Sequence, residues 1–145
     1  MLWYTHIVFA LLLGQWFSFT YIEYIILIFA SLLPDIDHPE SKLGYRIKPI
    51  SNLIKLIFGH RGVFHSIFAL ALFSYLVYLF SDYFLAFFIG YFSHIFIDGF
   101  TLAGINYLNP LLKVKLNGFI KVGGLYEHAL FLIMLVVLIW MKLYG

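Results

Sequence analysis

Residues 24–41 read "YIILIFASLLPDIDHPES", an apolar run that ends abruptly in Asp35, Asp37 and His38. A charged side chain costs roughly 2.5 to 3.5 kcal/mol at the centre of a bilayer, so this pattern reads as a membrane helix whose polar sequel lies at the membrane edge or in a polar pocket. The rest of the chain has the same character. Of its 145 residues, 63% are hydrophobic and 11% charged, with a mean hydropathy of +0.97, far from the roughly half apolar and quarter charged usage of soluble domains. These values describe an all-α integral membrane protein, of a length that suits a single domain over residues 1–145. A net charge of +2 offers no electrostatic case for nucleic acid as a partner, and the absence of cysteine excludes disulfide and thiolate chemistry.

Five apolar segments, residues 2–17, 21–33, 63–80, 83–99 and 125–143, predict a bundle of about five membrane helices. The first two are short, about 24 Å for 16 residues at 1.5 Å rise, which suits a shallow hairpin as well as two crossings. "MLWYTHIVFALLLG" lacks a basic start and a cleavage site, so it reads as a retained helix rather than a signal peptide. Five of the nine Lys and Arg lie in the loop 34–62 and three in 101–124, which places both long loops and the N-terminus on the cytoplasmic side of the cell (inner) membrane of a multi-pass protein. In the first loop, "NLIKLIF" after Pro49 predicts a helix lying in the membrane interface. In the second, "KVKLNGFIKV" centres on Asn117-Gly118, a favoured type I′ pair, and predicts a small cytoplasmic β-hairpin.

All six histidines then fall on one side of the membrane, although only Lys and Arg set the topology. His6, His38, His60, His65, His94 and His128 share a layer with Asp35, Asp37, Asp98 and Glu127. Carboxylates brought together repel unless a cation compensates, so a metal site is expected. His94 and Asp98, four apart on a helix, lie one turn from each other on one face. Asp35 and Asp37 alternate along what reads as an extended turn and project to one side, Asp37 leading, with His38 beside them. The expected ligands are therefore His6, Asp35, Asp37, His38, His65, His94 and Asp98. In "FGHRGVFHS", Gly59 and Gly62 let the backbone turn tightly around His60 and Arg61. Arg61 suits an anionic oxygen, His60 stands beside it, and Glu127 suits a proton acceptor, which makes these three the candidate catalytic residues. Two of them also have an ordinary structural explanation, Arg61 as a positive-inside anchor and Glu127 as a partner of a helix dipole.

The order of these pieces resembles the YdjM-type family, described by inference as membrane-bound, metal-dependent hydrolases, some of them labelled LexA-binding. The resemblance rests on His6, "LLPDIDHP", "GHRGVFHS", "GYFSHIFIDGFTLAGI" and Glu127, in that order along most of the chain. It implies a membrane hydrolase with a metal centre. Mixed His and Asp donors suit Zn²⁺ or Mn²⁺, with Fe²⁺ also acceptable, and the number of candidate ligands allows one or two ions. An interfacial position points to an amphiphilic, lipid-like phosphoester as substrate, with membrane lipids as surroundings. Two other classes compete: a metal-binding scaffold that recruits a soluble protein partner, and a metal-ion transporter. The transporter is disfavoured because the third and fifth segments carry no charge through their centres. No H-E-x-x-H is present to support a metalloprotease. A phosphohistidine phosphatase is disfavoured by the lack of a Lys/Arg-rich first motif and a Ser-Gly-His.

Overall fold

The computed structural model describes residues 1–58, 62–112 and 114–144. Among them six α-helices form: α1 (Trp3–Gly14), α2 (Tyr21–Leu32), α3 (Lys48–Phe58), α4 (Ile67–Phe80), α5 (Phe84–Asp98) and α6 (Leu125–Tyr144). The all-α class is as expected from the sequence.

Helix α5 is the centre of the bundle. Ten of its 15 residues are buried, because α1, α2 and α4 all pack on it. Gly90 sets the closest approach: a Cβ there would lie 2.3 Å from the Leu27 carbonyl oxygen and 2.9 Å from Ala30 Cβ, so only glycine lets α2 come this near. Ala30, Ala69, Leu70, Phe87, Tyr91, Ile95 and Ile105 fill the space between α2, α4, α5 and the loop after α5. Helix α6 leans on α1 and keeps most of its surface outward, with Leu132, Val136, Ile139 and Trp140 exposed. Exposed apolar residues also cover the outer faces of α2 and α4, among them Ile22, Ile25, Leu72, Tyr75 and Leu79. So wide an apolar surface is unlike that of a soluble monomer and fits contact with lipid.

Two expectations are corrected. The first concerns the five membrane helices: among the described residues only α6, with 20 residues, is long and apolar enough to cross a membrane by itself. The apolar segments are longer than the helices they contain. Residues 63–65 form a 3-10 turn, and α4 starts only after Ser66, whose Oγ accepts from the Ala69 N–H at 3.2 Å. At 1.5 Å rise, α4 and α5 reach about 21 and 23 Å, against about 30 Å of hydrocarbon.

The second correction is the β-hairpin, which is absent among the described residues. Leu116 exchanges both backbone hydrogen bonds with Ile105, at 2.8 and 2.9 Å, while Gly118 N–H donates to Thr101 and Ile120 N–H to Phe100. The segment 114–120 thus lies along 100–105 instead of folding on itself. Gly118 serves close approach, since a Cβ would stand 2.4 Å from the Phe100 carbonyl oxygen. A helix forms where one was expected, as α3, with Leu53, Leu56 and Ile57 exposed and Ser51 turned inward.

Candidate metal centre

The polar residues meet where five helix ends converge: the starts of α1, α4 and α6 and the finishes of α2 and α5. Pro34 stops α2, and residues 33–37 continue as a 3-10 turn rather than the extended turn expected. That geometry sends Asp35 and Asp37 to opposite nitrogens of one ring. His65 Nε2 is 3.6 Å from Asp35 Oδ1, and its Nδ1 is 3.4 Å from Asp37 Oδ2. Asp37 thereby orients His65, as carboxylates commonly orient metal-ligating histidines, and Asp35 shares the face that Nε2 presents.

His94 is the hub. Its Nδ1 donates to the Ser31 backbone carbonyl at 2.7 Å, which leaves the Nε2 lone pair for other use. That Nε2 is buried and makes no hydrogen bond among the described residues. It lies 3.6 Å from Asp35 Oδ1 and 3.9 Å from Asp98 Oδ2. His6 stacks on His94 with ring centroids 3.8 Å apart, and its Nε2 is 3.4 Å from Asp98 Oδ1, an oxygen that the Met1 ammonium also contacts. Two sets of three ligand atoms result, His6, His94 and Asp98, and Asp35, His65 and His94, each set within 4.8 Å.

These separations fit a shared ion better than hydrogen bonds. Two donor atoms about 2.1 Å from one metal stand about 3.0 Å apart at a right angle and about 3.4 Å apart at the tetrahedral angle. Buried polar atoms without a hydrogen bond are rare, and a cation satisfies several of them together. The residues present therefore could hold a divalent metal through imidazole and carboxylate donors.

Electrostatics agree with this geometry. Burial works against an ionised Asp35, but the imidazoles of His94, His65 and His6 outweigh it and hold the carboxyl below its usual range. Burial also opposes charge on His65, yet the facing carboxylates of Asp35 and Asp37 raise its imidazole from 6.5 to about 9. A proton and a metal ion would thus compete for His65.

The YdjM inner membrane protein family model matches residues 1–144. The chain belongs to that family. The inner membrane protein YdjM of Escherichia coli strain K12 is 45% identical over 91 residues, which cover 57% of this chain and 46% of the relative; the Shigella flexneri protein of the same name gives the same figures. The uncharacterized protein YvsG of Bacillus subtilis strain 168 is 30% identical over 106 residues, or 68% of this chain and 64% of YvsG. The chain thus matches less than half the length of the two YdjM relatives. No solved structure matches it. Membership of a family of inner membrane proteins accords with the apolar outer surface, and makes this YdjM-family chain a membrane protein.

Among the described residues, His38 and Glu127 lie apart from the two sets. His38 is half-buried and borders a cavity of about 430 Å³ that also touches Asp35, Gly104, Asn106 and Lys115. Glu127 is fully buried, and its two oxygens accept from the backbone N–H groups of Leu2 and Gly123, at 2.5 and 2.6 Å. It ties the start of α1 to the loop before α6. His60 and Arg61 fall outside the described residues. His128 faces outward, with Nδ1 on the Gly124 carbonyl at 2.9 Å. Ser31, which the sequence reading did not single out, orients His94 through its backbone carbonyl. No side-chain pattern signals such a role. The Thr101 hydroxyl likewise donates to the Asp98 carbonyl at 2.7 Å and closes the end of α5.

Proposed function

We propose that this chain is a membrane-bound, metal-dependent hydrolase acting on a phosphoester of a lipid-like substrate at the cytoplasmic interface, with its N-terminus and both long loops on that side of a multi-pass protein. The observation that carries the reading is the buried His94 Nε2, without a hydrogen bond among the described residues and 3.6 Å from Asp35. His6, His65, His94, Asp35 and Asp98 would hold the ion. Because His94 Nε2 belongs to both sets and Nδ1 is committed to Ser31, a single ion centred on His94 is the simpler arrangement. Zn²⁺ and Mn²⁺ suit these donors. Such a cation, when bound, supplies Lewis-acid polarisation of a phosphoryl oxygen and acidifies water.

The chain's own groups do the rest. Asp35 borders the cavity, whereas Asp37 and Asp98 are fully buried, so Asp35, holding the ion through one oxygen, is assigned to accept a hydrogen bond from the attacking water through the other. Glu127, the acceptor expected from sequence, is assigned to positioning, since backbone N–H groups engage both of its oxygens. Arg61 keeps its proposed role of steadying developing negative charge. A structural metal in a scaffold would have closed coordination. The open cavity beside Asp35 favours the enzyme, and ligands gathered at one end of the bundle disfavour a transporter, whose site belongs near mid-membrane.

The test is a phosphoester and phospholipid hydrolysis screen of detergent-purified protein with Zn²⁺ or Mn²⁺, run beside Asp98→Ala and a chelator. Turnover abolished by both is expected. Metal-replete protein inactive across the screen would sink the hydrolase.

A further inference from the structure

The cavity of about 430 Å³ beside Asp35 has a size ordinary for a small polar ligand. One of its walls comes from the loop after α5, whose pairing sets which side chains face inward. Ile105 and Leu116 form an antiparallel bridge with both backbone hydrogen bonds, so Asn106 and Lys115 are the next pair across. Ile105 is fully buried in the core. Asn106 and Lys115, next to that bridge on the two segments, both line the cavity. Asn106 Oδ1 is buried and has no hydrogen-bond partner among the described residues. Lys115 is exposed, and His38 also lines the cavity.

These groups ask for a ligand with two features. Lys115 calls for an anionic oxygen, and Asn106 Oδ1 for a hydrogen-bond donor such as a hydroxyl. A phosphodiester bearing a glycerol hydroxyl offers both. A choline headgroup has no donor, and an ethanolamine headgroup would bring a second ammonium toward Lys115. We propose that this cavity is a headgroup subsite selecting anionic, hydroxyl-bearing phospholipids of the phosphatidylglycerol class, with Lys115 on the phosphate and Asn106 on the headgroup hydroxyl. The assignment rests on the hydrolase reading for its use in catalysis, but not for binding.

Binding to the detergent-purified, metal-loaded chain tests it by calorimetry. The probes are three soluble compounds: glycerophosphoglycerol, the methyl ester of phosphocholine, which carries no hydroxyl, and inorganic phosphate. Wild-type protein should bind glycerophosphoglycerol about tenfold more tightly than either other probe. Lys115→Ala should weaken that binding by about tenfold and Lys115→Arg should restore most of it. Asn106→Ala should narrow the glycerol-over-choline preference, and Lys121→Ala, outside the cavity lining, should change nothing. Metal content should be the same in all. Equal binding by wild type and Lys115→Ala overturns the subsite, as does equal binding of the two headgroups; inorganic phosphate binding as tightly as glycerophosphoglycerol would reduce it to a free-anion site and overturn it too. Selective, Lys115-dependent binding without lipid hydrolysis would uphold the subsite and remove the hydrolase. Asp98-dependent hydrolysis unaffected by Lys115→Ala would do the reverse.

Discussion

His94 has two ring nitrogens with different tasks, one held by the Ser31 carbonyl and one turned toward Asp35 and Asp98. Replacing it removes a donor common to both ligand sets, so His94→Ala should lose tight metal binding altogether. Asp37 acts through His65, and Asp37→Asn should weaken metal affinity by about 10- to 100-fold without abolishing it, as read by competition with a chromogenic chelator. An equal loss in both variants would make Asp37 a ligand. Acidity offers a separate check. His65 must shed a proton held up to about 9 before it can ligate, so apparent affinity should rise by about tenfold per pH unit between pH 7 and 9. The same shift has the opposite sign for the metal-free protein. The stability it contributes is fully present below about 6.5 and is lost as pH rises through about 9. Much of this site is legible in the sequence, because His94 and Asp98 need only helical spacing to become neighbours. The division of labour between Asp35 and Asp37 is not, since it depends on a 3-10 turn where an extended one was the natural reading.

Among the elements, α5 and the loop that follows it decide how the site is held. Gly118 meets the Phe100 backbone, so Gly118→Ala should lower stability by about 1 to 3 kcal/mol, seen as an earlier thermal transition in detergent. Asn117→Ala should change stability by less than about 0.5 kcal/mol, because Asn117 is exposed and no longer a turn residue. A hairpin would require the opposite, with Asn117 mattering through its positive φ. Asn117-Gly118 misled because glycine answers two needs, left-handed backbone and close approach, and spacing alone does not separate them. Helix starts were legible only in part for a similar reason: Val63 and Phe64 are as apolar as the helix after them, and the Ser66 cap decides where α4 begins.

Across the whole molecule, composition and the distribution of Lys and Arg carry the membrane reading, and the apolar outer surface with family membership supports it. The number of crossings was less legible. Hydropathy measures apolar length, whereas a crossing needs helical length, and several apolar residues are spent in turns. The proposed topology has a direct check, made easy by the absence of cysteine. In intact cells a membrane-impermeant maleimide should label Asp82→Cys and leave Lys115→Cys untouched until the membrane is opened. Labelling of both from outside would contradict a cytoplasmic site.

The central claim is that imidazoles and carboxylates from α1, α5 and the turns before α3 and α4 grip one cation. Elemental analysis of detergent-purified wild type and His94→Ala tests it most directly. About one Zn²⁺ or Mn²⁺ per wild-type chain, falling to background in the variant, is the predicted result. Wild-type protein free of metal after incubation with either ion, or a variant that retains the wild-type content, would contradict it.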